Sequence, residues 1–201
     1  MNQNEQTWEH LLKIKTSGRD DSEADPCHYP YEPTPYSVLE RLANSEYIGK
    51  RNVLIDYGCG KGRVDFFLSY QLRCKTIGVE YDERLYKAAL RNKEAAVSGR
   101  TAEFVLANAE RYTVQTEVDR FYFFNPFSLE ILKHVIGKIL ASYYEKMREM
   151  KLFFYYPSDE YVSCLMQMEE LEFEDEISCK DLFEGDNPRE RILIFKTLGS
   201  L

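Results

Sequence analysis

The sequence predicts an α/β protein with a doubly wound, mostly parallel seven-stranded sheet, an antiparallel last strand and helices on both faces. From residue 34 onward, apolar strand-like runs alternate with helical patterns, which is typical of a parallel sheet covered by helices. Near residue 172 this alternation stops. Two strand-like runs follow, at 172–180 and 190–197, and the turn sequence Gly185-Asp186-Asn187-Pro188 between them predicts an antiparallel pair.

Each element is predicted from its own local pattern. Five apolar runs predict the parallel strands, at 52–57, 75–81, 103–107, 118–124 and 152–156. Apolar residues at helical spacing predict helices at 34–44, 62–72, 82–97, from 128 onward, and at 158–168. Thr34, Asp82 and Ser128 are predicted N-caps, with Pro35 at the first helical position after Thr34.

The first 27 residues are predicted to be a flexible N-terminal arm or a lid, and residues 28–201 a single domain. Apolar residues from Trp8 to Ile14 predict a short amphipathic helix in this arm, and residues 17–25 have the composition of a loop. Two interpretations stay open: a loose arm, or a lid that becomes ordered when a ligand binds.

The composition argues against several classes of protein. Acidic residues outnumber basic ones, 34 to 26, which gives a net charge of −8 and disfavours binding to naked nucleic acid. The five cysteines form no C-x-x-C pair, so they indicate neither a metal site nor a disulfide framework. The polar N-terminus and the absence of a long apolar run predict a cytoplasmic protein without a signal peptide or a membrane span.

A glycine-rich turn follows the first predicted strand. It contains Asp56, Gly58, Gly60 and Gly62, and the spacing G-x-G-x-G differs from the dinucleotide fingerprint G-x-G-x-x-G, because residue 63 is an arginine. A carboxylate at Asp56 suits a cationic amino group better than a pyrophosphate. Glu80 ends the second strand, where a carboxylate can accept hydrogen bonds from ribose hydroxyls. A ligand with both features is a nucleoside amino acid, of which S-adenosyl-L-methionine is the common example.

Residues 53–90 closely resemble motif I and the following acidic motif of class I S-adenosylmethionine-dependent methyltransferases, a Rossmann-like family. The resemblance implies that Glu80 holds the ribose and that Tyr81 lies beside the adenine. The methionine part would be held by Asp56, Gly58, Gly60 and Gly62. The family often has Asp-Ala after the third strand, at the adenine edge, and the matching residues here are Asn108 and Ala109.

The fourth strand is followed by Asn125, Pro126, Phe127 and Ser128. This segment resembles the Asn-Pro-Pro-aromatic motif of methyltransferases that modify planar amino groups, although Phe127 replaces the second proline. The resemblance implies that the Asn125 side chain and the Pro126 carbonyl accept hydrogen bonds from the target nitrogen, and that Phe127 stacks on the substrate. The alternative is a plain strand-to-helix turn, since Asn-Pro is common in turns and Ser128 is a typical cap.

Upstream of the glycine turn, Pro33-Thr34-Pro35 is similar to an element of amino-group and small protein-lysine methyltransferases. The resemblance implies that Thr34 lies near the cofactor carboxylate; an N-capped helix is the alternative. Tyr29, Tyr31 and His28 are candidates for the substrate side of the pocket. His10 and His134 are interpreted as structural or surface residues.

These observations predict a methyltransferase that transfers a methyl group to a nitrogen by direct displacement. The expected acceptor is a small molecule or a protein side chain, and the protein is expected to be a monomer or a homodimer. Two other classes stay open: a catalytically silent S-adenosylmethionine-binding module, and a nicotinamide-dependent oxidoreductase. Asp56 and the position of Gly62 speak against the oxidoreductase.

Overall fold

The computed structural model describes residues 3–22 and 29–199 and contains one seven-stranded sheet. Its strand order is β3-β2-β1-β4-β5-β7-β6, and β7 runs antiparallel to both β5 and β6. The predicted fold class is therefore confirmed. The strands are β1 (Val53–Tyr57), β2 (Lys75–Glu80), β3 (Ala102–Leu106), β4 (Arg120–Phe123), β5 (Lys151–Tyr155), β6 (Leu171–Ser178) and β7 (Arg191–Thr197).

Six α-helices cover the two faces of the sheet. Alternate strand residues point to opposite faces, and each face has its own apolar core. Helices α1 to α4 pack on one face, and α5 and α6 pack on the other. The helices are α1 (Gln3–Leu12), α2 (Tyr36–Ala43), α3 (Arg63–Leu72), α4 (Glu83–Ala95), α5 (Leu129–Glu145) and α6 (Asp159–Leu165).

Two of the predicted helix caps are confirmed and one is wrong. The Asp82 carboxylate accepts a hydrogen bond from the Arg84 N–H at 2.7 Å, and the Ser128 hydroxyl accepts one from the Ile131 N–H at 3.5 Å. Thr34 is not an N-cap, because α2 begins at Tyr36 and Pro35 holds the capping position. The Thr34 hydroxyl instead shares a hydrogen bond of 3.0 Å with the Tyr122 hydroxyl.

Two helices end earlier than their apolar patterns predict. Helix α4 ends at Ala95 rather than at 97, because the chain turns away and the Val97 N–H donates to the Leu12 carbonyl at 3.2 Å. Helix α6 ends at Leu165 rather than at 168, because the next residues form tight turns that lead into β6. In both cases a tertiary contact or turn overrides local propensity.

The described part of the N-terminal arm is packed against the domain. A short helix forms in the arm as predicted, but it spans Gln3–Leu12, so Ile14 lies beyond its end. Leu12 is fully buried in the core, and the indole N–H of Trp8 donates to the Glu40 carboxylate at 2.6 Å. The Trp8 ring also contacts Phe67 of α3 edge-on, with ring centroids 4.8 Å apart. Residues 23–27 of the arm lie outside the described residues, and its action as a lid stays a prediction.

None of the helices within residues 3–22 and 29–199 combines the length and the apolarity needed to cross a bilayer.

Candidate active site

A cavity lies at the carboxyl ends of β1, β2 and β4, which meet at one edge of the sheet because these strands are parallel. The structure brings nearly all the predicted site residues together there; only Gly60 and Gly62 are missing from the lining. The predicted residues that line it are Thr34, Asp56, Gly58, Glu80, Tyr81, Asn108, Ala109, Asn125, Pro126 and Phe127.

The three glycines of the turn all have positive φ, from +56° to +85°, a conformation that side chains disfavour. A Cβ on Gly58 would lie 2.6 Å from the Cβ of Pro126, and one on Gly62 would lie 2.6 Å from the Phe104 ring. The ring of Tyr31 covers Gly60. The space beside Gly60 and Gly62 is thus filled by side chains of the protein itself.

Glu80 is the most heavily hydrogen-bonded carboxylate of the cavity. It is 5% exposed and accepts from the backbone N–H groups of Gly60, Tyr81 and Asp82 at 2.8, 2.8 and 2.9 Å. Burial raises the pKa of Glu80, although these three hydrogen bonds oppose the rise. A carboxylate offers about four lone-pair positions. Glu80 can therefore accept about one further strong hydrogen bond from a ligand.

Asp56 lies beside a second buried acid, Asp65, which sequence reasoning missed. Asp56 is paired in register with Gly78 of β2, and a Cβ on Gly78 would lie 2.9 Å from Oδ2 of Asp65. Asp65 is fully buried, and neither of its oxygens has a hydrogen-bond donor among the described residues. Burial is the main cause that raises the pKa of both carboxyl groups. A neighbouring charge raises each pKa further: the charge of Glu80 acts on Asp56, and the charge of Asp56 acts on Asp65. The two acids therefore compete for a proton beneath the cavity.

Arg63, the first residue of α3, also lines the cavity and was missed by sequence reasoning. It is 2% exposed, and its guanidinium group lies 4.3 Å from the centre of the Tyr36 ring. It donates to Glu5, to Thr16 Oγ1 at 2.7 Å, and to the Thr34 carbonyl at 3.2 Å. A cation in the first turn of a helix interacts unfavourably with the helix dipole. An arginine at this position of the sequence was therefore a signal that Arg63 has a specific role.

Asn125 follows β4 and has a left-handed backbone conformation, with φ +39°. Its side-chain N–H donates to the Tyr156 carbonyl at 2.6 Å. The amide is oriented by this bond, since the opposite orientation would place two acceptor oxygens together. The other end, Oδ1, is buried and has no hydrogen-bond partner among the residues described.

The two residues after Asn125 are already engaged by the protein. The Pro126 carbonyl accepts a hydrogen bond from the Tyr29 N–H at 3.3 Å. Phe127 is 3% exposed and packs edge-on against Phe123, with centroids 6.3 Å apart, so little of its ring faces the cavity. Its predicted stacking on a substrate stays a prediction.

The other aromatic candidates lie at different depths. Tyr29 lines the cavity and is 48% exposed. Tyr31 lies over the glycine turn, and its hydroxyl donates to the Thr16 carbonyl at 2.5 Å. Tyr81 lines the cavity and is 41% exposed. His28 lies outside the described residues.

The remaining polar candidates are placed near the surface. The Asn108 side chain caps a short 3₁₀ helix and accepts from the Glu110 N–H at 2.8 Å, which leaves part of its oxygen for a ligand. His134 is exposed and pairs with the Glu110 carboxylate at 2.6 Å, and His10 is exposed. Both histidines are surface residues, as interpreted.

Comparisons with known proteins support the fold. No family model matches the chain. A protein-lysine N-methyltransferase of Saccharolobus islandicus is 32% identical over 77 residues, which are 37% of this chain and 48% of that relative, so the match spans about half of the relative's length.

Two solved structures illustrate the similarity in three dimensions. An RNA methyltransferase from Salinibacter ruber, in complex with S-adenosyl-L-homocysteine, has a TM-score of 0.56 at 18% identity, with 85% of this chain and 96% of that one covered. A TehB-like SAM-dependent methyltransferase from Corynebacterium glutamicum has a TM-score of 0.56 at 16% identity, with coverage of 80% and 88%. The chain therefore has the Rossmann-like fold of class I S-adenosylmethionine-dependent methyltransferases.

Proposed function

We propose that this protein is an S-adenosylmethionine-dependent methyltransferase that transfers the methyl group to a nitrogen atom. The observation that carries the proposal is Oδ1 of Asn125, a buried acceptor that has no hydrogen-bond partner within the described part of the chain. It lies at the cavity that also contains Asp56 and Glu80. A buried polar atom without a hydrogen bond is costly. A substrate N–H would satisfy it.

The hydrogen-bond acceptors in the cavity fit S-adenosylmethionine. Asp56 would bind the cationic amino group, and the free lone-pair position of Glu80 would accept from a ribose hydroxyl. Tyr81 lies beside Glu80 and would contact the adenine. The bound cofactor supplies a methyl group already activated on a sulfonium.

With an activated methyl group, the protein mainly has to orient the acceptor. Oδ1 of Asn125 would accept a hydrogen bond from the target N–H and so direct the nitrogen lone pair toward the cofactor. A neutral target nitrogen needs no strong base, because it loses its proton after the methyl group is transferred. An ammonium group would first release a proton to solvent, which frees the lone pair that attacks the methyl group. Burial of the site excludes water, which strengthens these hydrogen bonds.

A protein amino group is the acceptor class we favour. Among the described residues that line the cavity, acids outnumber cations five to two, and this excess of negative charge would attract an ammonium group. The acids are Asp20, Glu32, Asp56, Glu80 and Asp82, and the cations are Arg63 and Arg84. The relative from Saccharolobus islandicus is named a protein-lysine N-methyltransferase. The Salinibacter ruber neighbour, by contrast, is named an RNA methyltransferase, so nucleic acid is tested beside protein.

The first experiment uses S-adenosylmethionine with a labelled methyl group and a cell extract. We expect label in a fraction that protease digestion removes and nuclease digestion leaves. Label removed by nuclease would instead identify a nucleic acid acceptor. Calorimetry accompanies this assay, and binding of a nicotinamide dinucleotide without binding of S-adenosylmethionine would exclude the proposed function.

The second experiment tests Asn125 directly. Asn125→Ala should leave cofactor affinity within about twofold and lower turnover roughly 10- to 1,000-fold, since it removes a hydrogen bond that orients the acceptor. Labelled-methyl transfer at saturating cofactor measures the effect. Glu130→Gln, an exposed substitution in the first turn of α5, is the matched control. Wild-type turnover in Asn125→Ala would refute the role of this side chain.

A further inference from the structure

A cluster of polar groups behind Asn125 plays no part in the proposed chemistry. It is built on Tyr156, the residue after β5, whose carbonyl accepts the Asn125 side-chain N–H. Asn125 and Tyr156 each lie two residues beyond Phe123 and Phe154, which are partners in the parallel β4–β5 pair. The alignment of the two strands therefore continues into the loops and brings these residues together.

Both residues have a left-handed backbone. The φ angles are +39° for Asn125 and +52° for Tyr156. Asparagine adopts this conformation readily, but for Tyr156 it costs about 1 to 2 kcal/mol. Strained residues of this kind concentrate at functional sites, held there by surrounding contacts. In Tyr156 the conformation directs the carbonyl toward Asn125.

Arg189, from the turn between β6 and β7, supplies these contacts. Its Nη2 donates to the Tyr156 carbonyl at 3.1 Å, and its Nε donates to the Pro157 carbonyl at 3.1 Å. Its guanidinium group lies 4.3 Å from the centre of the Tyr156 ring. Asn187 of the same turn donates to the Tyr156 hydroxyl at 2.7 Å. The backbone, the ring and the hydroxyl of Tyr156 are thus all held from one turn.

We infer that Arg189 is a positioning residue, which acts through Tyr156 to hold the Asn125 amide with Oδ1 turned toward the methyl acceptor. The Tyr156 carbonyl accepts from both Asn125 and Arg189, so its two lone pairs are used. Without Arg189, Tyr156 loses its ring cover and one carbonyl partner, and its backbone can relax to negative φ. The carbonyl would then turn away from Asn125, and the amide would lose its fixed orientation.

This inference rests on the proposed function of Asn125. It adds the turn between β6 and β7, at the antiparallel end of the sheet, to the parts of the chain that determine turnover. Arginine is specific for this role, because its planar group can donate to two carbonyls while it stacks on a ring. Lysine retains the charge but cannot do both.

The test compares Arg189→Ala and Arg189→Lys with the control Arg191→Ala. Arg191 is two residues further on and pairs with Glu176 at the surface at 3.0 Å. Its backbone carbonyl accepts from the Tyr156 N–H at 3.0 Å, a bond that every variant retains. We therefore expect the Arg189 variants to fold; thermal melting and cofactor calorimetry check this, and Arg189→Lys serves if Arg189→Ala does not fold.

The first readout needs no acceptor. The side-chain N–H₂ resonances of Asn125, identified by their loss in Asn125→Ala, should shift and exchange faster with water in Arg189→Ala, and should be unchanged in Arg191→Ala. Unchanged resonances in Arg189→Ala would overturn the inference, whatever the protein methylates.

The second readout is labelled-methyl transfer to the fraction that the wild-type protein labels. Arg189→Ala should lower kcat roughly 10- to 100-fold, the effect expected of a misplaced group, without changing the cofactor KM. Arg189→Lys should lie between it and the wild type. In an Asn125→Ala background, Arg189→Ala should lower kcat by no more than about twofold further.

The outcomes separate the two proposals. If the kcat losses of Asn125→Ala and Arg189→Ala multiply in the double variant, Arg189 acts elsewhere and the inference is wrong. If Asn125→Ala lowers turnover but Arg189→Ala does not, the inference fails and the proposed function stands. If Asn125→Ala keeps wild-type turnover, the proposed role of Asn125 fails, although the methyl transfer itself stands.

Discussion

At the scale of single residues, Glu80 connects the glycine turn to the end of β2, because its two oxygens accept from Gly60, Tyr81 and Asp82. Glu80→Gln replaces one oxygen with an N–H₂ group, which would face a backbone N–H. We expect the dissociation constant for S-adenosylhomocysteine to rise roughly tenfold or more, since hydrogen bonds to a charged group contribute about 1.5 to 3 kcal/mol. Calorimetry measures it.

Glu83→Gln is the matched control for that substitution. Glu83 lies three residues further on, its side chain is 64% exposed, and it pairs with Lys87 at 2.9 Å along one face of α4. Its substitution should leave ligand affinity within about twofold, because exposed pairs contribute little. Equal losses in both variants would indicate a general charge effect rather than the hydrogen bonds of Glu80.

Individual site residues could be predicted where the signal was local. Asp56 and Glu80 lie at the carboxyl ends of β1 and β2, and Asn125 lies just beyond β4, so the rule that ligands bind at carboxyl ends of strands was enough to select them. Arg63 and Asp65 could not be selected in this way. Their surroundings come from Glu5, Thr34 and Gly78, which lie far away in the sequence.

At the scale of elements, α1 is attached to the glycine turn through Arg63. Burial opposes the ionisation of Glu9, but hydrogen bonds from Thr16 and Ser17 and the charge of Arg63 together lower the pKa of Glu9 below its usual value. Helix α1 is thus bound to α3 by charge as well as by the packing of Leu12.

Arg63→Ala should lower the free energy of unfolding by about 2 to 4 kcal/mol, because the carboxylates of Glu5 and Glu9 lose their partner while they remain largely buried. Urea unfolding followed by circular dichroism measures the change. Arg91→Ala, at an exposed site of α4, should stay within about 0.5 kcal/mol of the wild type. A loss below 1 kcal/mol in Arg63→Ala would mean that α1 is held by packing alone.

The order of the elements could be read from the sequence, but the attachment of the arm could not. Alternating apolar runs predict the strands and helices without reference to the rest of the chain. Residues 13–22 are mostly polar and contain loop-forming residues, so nothing local predicts burial. Thr16 is nevertheless fully buried, because Arg63 and Glu9 bind it.

At the scale of the whole molecule, Asp56 and Asp65 make stability depend on pH. Their pKa values are raised in the folded protein above the usual value of 3.8. Above about pH 4 the unfolded chain releases protons that the folded protein retains. The stability that these two protonated carboxyl groups contribute is present at acid pH. It is lost as the pH rises through the folded-state pKa values, by about 1.4 kcal/mol per pH unit for each proton.

Asp65→Asn removes one of these protons and supplies an N–H₂ donor to Asp56. We expect the variant to be more stable than the wild type at pH 8, by roughly 1 to 3 kcal/mol, and the difference to shrink toward pH 5. Thermal melting across this range measures it. Asp186→Asn, with a side chain that is 91% exposed, should show no such dependence. A stability difference that is the same at every pH would contradict the shared-proton arrangement.

The mostly parallel, seven-stranded sheet was also predictable, including the change to an antiparallel pair after residue 172, whereas the order of its strands in space was not. What the sequence did not indicate is that the turn between β6 and β7 lies against the loop after β5. That contact depends on the insertion of β7 between β5 and β6, which places Arg189 beside Tyr156. Proximity of this kind follows from strand order in space rather than from order along the chain.

If the Pro126 carbonyl binds the target nitrogen, as its motif predicts, the Tyr29 N–H that donates to this carbonyl would be a competing donor within the protein itself. The carbonyl has two lone pairs, and an incoming amine that uses the one occupied by Tyr29 would have to displace a donor that is tethered to the same molecule and never diffuses away. A neutral hydrogen bond contributes about 1 kcal/mol, so this competition would weaken the apparent affinity of the protein for the methyl acceptor roughly fivefold. After transfer, the methylated product has one N–H fewer and competes less well for the Pro126 carbonyl. The Tyr29 N–H would then displace it and so hasten its release.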